Sequence, residues 1–297
     1  MTVQQATTTI GAAAVVREPR SGFVLHALLA VWAITGREWG KFVRQRGRWA
    51  SALVRPVLWL VVFAAGFRSL LGVSIVPPYE TYVTYQEYII PGLLGIVLLF
   101  YGMQSSLSMV YDREMGMMRL LLTAPMPRWA LLLFKLLAAA VLSVLQAYAF
   151  LLITYGFSFL VPHLAAAIPW SGWLYIFFPL LLGGLMLASL GLLLSVYIRQ
   201  LENFAGTMNF VIFPMFFVSP ALYPLWKLRE VGAEYIYWIA VVNPFTHAIE
   251  LIRFAAYGDF QMVSFWVVVG CTTVFFIAAA VGYDPQRGML RHIARPR

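Results

Sequence analysis

The chain has 297 residues, of which 62% are hydrophobic and 11% are charged, with a formal net charge of +9. So little polar surface cannot cover a water-soluble domain of this size, which excludes a soluble enzyme or soluble binding module. The composition therefore predicts an all-α integral membrane protein.

The N-terminal part of the chain precedes the first long apolar run. Residues 1–22 are small and polar and predict a disordered cytoplasmic tail. Residues 23–51 place Trp side chains opposite a basic stripe at helical spacing, which predicts an amphipathic helix lying at the membrane interface. A seventh span over residues 23–34 is the alternative. The basic stripe consists of Arg37, Lys41, Arg44 and Arg48.

A membrane-spanning helix needs about 20 mostly apolar residues. Six runs of that kind fill residues 52–283, which we predict to form one six-helix transmembrane domain, followed by a basic cytoplasmic tail over residues 284–297. The runs cover residues 52–72, 88–110, 130–155, 173–197, 206–223 and 263–283.

Charged residues are rare in these runs. Arg55, Lys135 and Arg199 lie near the ends that we place inside, where Arg55 and Lys135 can extend to the membrane surface. A secondary transporter usually carries ionisable residues near the middle of the membrane, so this class is an alternative and not our preferred interpretation. The fourth run carries a small-residue face that predicts close helix packing, at Gly183, Gly184, Ala188, Ser189 and Gly191.

The distribution of Lys and Arg predicts the orientation. With both termini inside, 17 of the 21 Lys and Arg residues lie on the inner side. The net positive charge then follows from topology and favours contact with anionic lipids of the cytoplasmic leaflet, with no nucleic-acid partner.

A charged island with the sequence YDREMGMMRLLLTAPMPR separates the second and third runs at residues 111–128. Asp112 can cap a helix start, and the Met-rich face that follows predicts a short amphipathic helix suited to docking another protein. An ordinary basic loop is the alternative. The candidate docking residues are Asp112, Arg113, Glu114, Gly116, Met117, Met118 and Arg119.

The segment before the last run is too apolar for a solvated loop. Two helical stretches, at residues 235–242 and 245–257, are split by Asn243 and Pro244, which predicts a re-entrant hairpin. His247, Glu250 and Arg253 share one face of the second stretch and predict a polar cluster that anchors the hairpin. A proton relay, a metal site or a membrane enzyme built on His247 and Glu250 are alternatives, and a metal site is disfavoured because a second ligand pair is missing.

A row of tyrosines precedes the second run. Its three-residue spacing favours an aromatic belt at the outer membrane interface, with stacking against a substrate as the alternative. The row consists of Tyr79, Tyr82, Tyr85 and Tyr88.

Two motifs together resemble the permease subunit of ABC-2 type transporters. The first is the island, with its Arg-Glu-x-Gly element and the Thr-Ala-Pro that ends its Leu-rich run; the second is the Pro, His and Arg spacing within NPFTHAIELIR. The matching positions are Arg113, Glu114, Gly116, Thr123, Ala124, Pro125, Pro244, His247 and Arg253. The sequences of these two motifs are also similar to those in permeases of ABC systems linked to quinoprotein alcohol oxidation in bacteria.

The resemblance implies a non-catalytic exporter subunit of the bacterial inner membrane, paired with a second copy through the first and fifth spans. It implies two separate ATPase subunits that drive the island, and an amphipathic or lipid-like cargo. No G-x-x-x-x-G-K-[ST] phosphate loop occurs in this chain. We therefore expect no cofactor on this chain, with ATP and Mg²⁺ held by the partner ATPase.

Overall fold

The computed structural model describes residues 53–62, 85–115, 128–160, 168–198 and 200–283, together with seven single residues between 32 and 47. The described residues form helices and the turns that join them, without a strand, which confirms the all-α prediction. The helices are α1 Leu53–Val62, α2 Tyr85–Glu114, α3 Arg128–Leu160, α4 Trp170–Tyr175, α5 Phe177–Tyr197, α6 Leu201–Phe217, α7 Leu225–Glu230, α8 Glu234–Val242, α9 Pro244–Ala256 and α10 Met262–Gly282.

Four of these helices are long and apolar enough to cross a bilayer, namely α2, α3, α5 and α10. They coincide with the second, third, fourth and sixth predicted runs. Helical hydrogen bonds satisfy most of their backbone groups within each helix, as an apolar environment requires, although Pro91 of α2 has no N–H to donate.

The first and fifth predicted runs are less complete. The ten residues of α1 lie within the first run, and the rest of that run lies outside the described residues. Helix α6 has 17 residues, about 25 Å of helix against a hydrocarbon core of about 30 Å. It ends at Phe217, and residues 218–223, predicted as part of the span, form turns. Six complete spans therefore remain a prediction.

Helix α5 lies at the centre, packed against α2, α3 and α10. Its small residues let the neighbouring backbones approach closely. A Cβ built on Gly191 would lie 2.9 Å from the carbonyl oxygen of Gly102, and one on Gly184 would lie 2.5 Å from Ser143 Oγ. The close packing predicted from the small-residue face is thus confirmed.

A serine hydroxyl at the end of α6 satisfies a backbone carbonyl that Pro220 leaves without a donor. Pro220 has no N–H, so the carbonyl of Phe216 lacks its helical donor. Ser219 Oγ donates to that carbonyl at 2.6 Å instead.

The segment after α6 contains the short helices α7, α8 and α9. Helices α8 and α9 are split at Asn243 and Pro244, as predicted, and α9 packs against α2, α5 and α10. The depth of this hairpin in a membrane remains a prediction.

Part of the predicted interfacial helix is described. Trp32, Trp39 and Arg44 are helical and exposed. Arg37, Lys41 and Arg48 lie outside the described residues, so the basic stripe remains a prediction.

Candidate functional site

One candidate site lies where α2 ends and the island begins. Asp112 is in the last turn of α2, so the expectation that it caps the start of a helix is wrong. Its Oδ2 accepts from Lys135 Nζ of α3 at 3.0 Å, and the two side chains are 5% and 11% exposed. A buried pair of this kind is costly to break, because either partner alone would be left as an uncompensated charge. The pair therefore ties α2 to α3.

Glu114 links the same end of α2 to α6. Its Oε1 accepts from the backbone N–H of Leu201, the first residue of α6, at 2.9 Å. Gln200, the preceding residue, makes no capping hydrogen bond of its own. A carboxylate at this position satisfies an open N–H and faces the positive end of the helix dipole. Glu114 thus caps a helix that begins 87 positions later in the chain.

The other island residues are placed less completely. Arg113 is half-buried in the last turn of α2. Gly116, Met117, Met118 and Arg119 lie outside the described residues. Contact between the island and an ATPase therefore remains a prediction.

A second candidate site surrounds the end of α6 and the hairpin, with Asn243 at its centre. The side-chain oxygen of Asn243 accepts from Phe245 N at 3.0 Å and caps α9, whose first residue is Pro244. Its Nδ2 donates to the carbonyls of Met215 and Val218, each at 2.7 Å. One amide therefore starts α9 and satisfies the open end of α6.

Arg253 of α9 is 1% exposed. It forms an ion pair with Glu250, donates to the carbonyl of Pro220 at 2.6 Å, and lies 4.0 Å from the ring centre of Tyr88. The ion pair, the carbonyl and the aromatic face together compensate a buried guanidinium. The turn after α6 is consequently held from both α9 and α2.

Two members of the tyrosine row belong to this site. Tyr85 and Tyr88 donate to the carbonyls of Leu222 and Pro220, each at 3.0 Å, and both side chains are buried. The prediction of a lipid-facing belt is wrong for these two residues, because their hydroxyls satisfy backbone groups instead. Tyr79 and Tyr82 lie outside the described residues.

His247 makes its hydrogen bonds outside the Arg253 pair. Its Nε2 lies 2.9 Å from the carbonyl oxygen of Val241, and its Nδ1 lies 3.2 Å from Ser264 Oγ of α10. Burial lowers the pKa of His247, while the Val241 carbonyl and the nearby Glu250 act in the opposite direction. Both ring nitrogens are engaged, and the side chain joins α9 to α8 and α10.

Sequence patterns carried no direct signal for these joints. The partners of Glu114 and Asn243 are backbone groups, which any residue type supplies. Among the described residues, no group of three or more His, Cys, Asp or Glu side chains could hold a metal ion.

The long apolar helices and the polar joints at their ends define a multi-pass membrane protein. The chain belongs to the ABC-2 type transporter family, whose family model matches residues 29–257.

Curated relatives show the same affiliation. The chain is 27% identical over 205 residues to a transport permease, ycf38, of Cyanophora paradoxa, covering 69% of this chain and 66% of the relative. It is 26% identical over 206 residues to ycf38 of Porphyra purpurea, with the same two coverages. It is 27% identical over 178 residues to a multidrug ABC transporter permease, YbhR, of Escherichia coli (strain K12), covering 59% of this chain and 45% of the relative. The chain thus spans about two thirds or less of these relatives.

Proposed function

We propose that this chain is the transmembrane permease subunit of an ATP-binding cassette exporter in the bacterial inner membrane. It moves an amphipathic or lipid-like small molecule and is powered by two copies of a separate ATPase that bind ATP and Mg²⁺. Membership of the ABC-2 type transporter family is the observation that carries this proposal.

The island end of α2 supports the coupling part of the proposal. The island leaves the bundle at a joint of three helices, where Asp112 ties α2 to α3 and Glu114 ties α2 to α6. A force applied to the island would act on both ties. Through these two side chains, a movement of the ATPase could be transmitted from α2 to α3 and α6.

Exposed apolar side chains support pairing with a second copy. On α1, Val54, Leu58 and Val62 follow one another at helical spacing and are all exposed. On α6, Phe210, Phe213 and Phe217 are exposed, and Trp59 of α1 contacts Phe217 at a ring-centre distance of 6.1 Å. We propose that these two helices form the interface of a homodimer and border the path of the cargo.

The hairpin geometry does not favour a membrane enzyme. A general acid or base needs a nitrogen or oxygen that can reach a substrate proton. Both His247 nitrogens are engaged by Val241 and Ser264, and Glu250 is paired with Arg253. We therefore propose a structural role for this cluster.

The proposal is tested by replacing Glu114 in vesicles that contain the permease and its coexpressed ATPase. Glu114→Ala removes the cap of α6, so we expect normal membrane levels and continued ATP hydrolysis, with transport reduced by about tenfold or more. Glu114→Gln keeps an oxygen that can accept from Leu201 N, and we expect it to retain most transport. Transport and ATP hydrolysis are measured in the same vesicles.

Glu230→Ala is the matched control, because Glu230 is an exposed carboxylate at the end of α7, away from the island. It should leave transport unchanged. Met117→Asp, which places a charge on the predicted docking face, should reduce transport together with ATPase stimulation. Full transport in both Glu114→Ala and Met117→Asp would show that the island is only a loop.

A further inference from the structure

Arg55 lies deeper in the bundle than its place in the sequence predicts. We expected it at the inside end of the first span, yet its guanidinium lies 4.2 Å from the ring centre of Phe100. Phe100 is at the middle of α2, within a stretch without charged residues between Glu87 and Asp112. The guanidinium therefore packs at the middle of α2 and not beside its charged end, and its depth in a membrane remains a prediction.

The position of Phe100 sets the depth of this charge. At 1.5 Å per residue, each charged end of the stretch is about 18–20 Å from Phe100. The hydrocarbon core of a bilayer is about 30 Å thick, so a core that lies within this uncharged stretch would place the guanidinium well inside it. A charge at that depth is unfavourable unless a partner or water compensates it.

The described residues offer Arg55 an aromatic face and no carboxylate. Leu53–Val62 contains no acidic residue, and the only acidic residue of α6 is Glu202, at its start. Arg55 is nevertheless exposed on the single chain, on the side where Val54 and Leu58 are exposed too. The guanidinium N–H groups of Arg55 are therefore accessible to a molecule that contacts this surface of the chain.

Two amide side chains lie one helical turn from the aromatic rings beside Arg55. Phe213 of α6 contacts Phe100 at a ring-centre distance of 6.5 Å. Gln104 and Asn209 each lie one helical turn from these rings, on the island side, and Asn209 is exposed. A cation and two amides in an otherwise apolar surface form a polar patch, which we call the Arg55 patch.

Pairing of two copies would bring two Arg55 guanidinium groups to the same path. In a homodimer formed through α1 and α6, both copies would present their Arg55 patch to the shared path. Neither described helix brings a carboxylate to neutralise the two guanidinium groups. An anion entering from outside the chain would meet two cations, the exposed amide of Asn209 in each copy, and apolar walls.

We propose that the Arg55 patch binds the anionic head of an amphipathic cargo, a phosphate or carboxylate carried on an apolar tail. Arg55 holds the head by charge-assisted hydrogen bonds, and the Phe100 ring positions the guanidinium. The rings of Phe100 and Phe213 contact the start of the tail. This assignment rests on the proposed transport function and names the substrate class of its path.

The test measures binding without ATP, in nanodiscs of zwitterionic phosphatidylcholine that hold the permease with its coexpressed ATPase. The probe is radiolabelled hexadecyl phosphate, and hexadecylphosphocholine is the zwitterionic analogue with the same tail. We expect Arg55→Gln to weaken hexadecyl phosphate binding at least tenfold and to leave the analogue within twofold. Arg55→Lys should bind hexadecyl phosphate more tightly than Arg55→Gln.

A second variant supplies a counter-ion within the chain. Leu58 is 57% exposed and lies one helical turn from Arg55. Leu58→Glu should pair with Arg55 and lower hexadecyl phosphate binding at least tenfold, even if Arg55→Gln fails to fold, whereas the uncharged Leu58→Gln, which alters the same proposed dimer surface, should keep that binding within twofold. Arg229→Gln is the matched control, because Arg229 also lies 4.0 Å from an aromatic ring, that of Tyr237, but outside the spans.

The outcomes separate this assignment from the proposed function. Unchanged hexadecyl phosphate binding in Leu58→Glu and in Arg55→Gln would overturn it, even in a complex that transports by ATP hydrolysis. A charge-dependent loss of binding supports it, even if no ATPase copurifies. Adding phosphatidylglycerol distinguishes the sources: competition with the probe identifies a bilayer lipid as the anion, and no competition identifies a separate amphiphile.

Discussion

The two ends of α6 are held in different ways. At the hairpin end, Asn243 donates to the carbonyls of Met215 and Val218, Arg253 and Tyr88 donate to that of Pro220, and Tyr85 donates to that of Leu222. At the island end, the exposed carboxylate of Glu114 accepts from one N–H. Buried hydrogen bonds are costly to break because their groups would be left unsatisfied, whereas an exposed bond exchanges readily with water.

We infer from this difference that polar contacts hold the hairpin end of α6 more firmly than the island end, where the buried side chain of Phe204 supplies apolar packing. A tilt of α6 about its hairpin end would separate Leu201 from Glu114 while leaving the buried bonds intact. The predicted docking residues include Glu114 itself, so under our proposal a force applied to them would act on this end of α6. The three predictions below test the contrast between the ends, beginning with the largest expected effect.

Arg253→Met should cause the largest loss of stability. It leaves Glu250 without its ion-pair partner and removes the Arg253 donor from the Pro220 carbonyl. Breaking a buried pair from one side typically costs about 3–5 kcal/mol. Thermal unfolding in detergent and the yield of folded protein measure this effect.

Arg229→Met provides the control, since it removes an Arg that is not buried in the hairpin joint. Glu250→Gln extends the test: it should lower folded yield more than it lowers transport per folded molecule. Normal yield with no transport in Glu250→Gln would instead favour a proton relay through Glu250 and His247.

Asn243→Ser should have an intermediate effect. Serine can still cap α9, but it has no amide to donate to Met215 and Val218. Two open carbonyls predict a loss of about 1–3 kcal/mol in the free energy of unfolding. Asn243→Ala removes the cap as well and should cost about 1 kcal/mol more. Equal stability of wild type and Asn243→Ser, by denaturant unfolding, would show that water satisfies these carbonyls.

Glu114→Ala should have the smallest effect on stability, below about 1 kcal/mol, because its bond to Leu201 is exposed. The same variant should have a large effect on transport. Comparing its unfolding curve with that of Arg253→Met checks the contrast between the ends directly. A loss of stability as large as that of Arg253→Met would mean that both ends of α6 are equally fixed.

Helices could be predicted from the sequence where apolar length determines them. Four of the six runs recur as long apolar helices, and the Asn243 and Pro244 break separates two short helices as expected. Both features are local, since an apolar run and a proline act on their own segment of chain.

The polar joints could not be predicted, because they connect distant segments through backbone groups. Tyr88 donates to a carbonyl 132 positions away, and no residue type marks that carbonyl. Arg55 shows a second limit. Its place near the edge of an apolar run suggested a contact near a helix end, but the packing of α1 against α2 sets it beside Phe100 at the middle of α2.

The joint at the hairpin end also constrains the order of biogenesis. Tyr85 and Tyr88 are synthesised before α6. Asn243 and Arg253 follow α6 in the sequence and are therefore synthesised after it. During that interval the carbonyls of Met215 and Val218 lack their final donors in an environment with little water. The hairpin end of α6 therefore reaches its final hydrogen bonding only after the start of α9 has been synthesised.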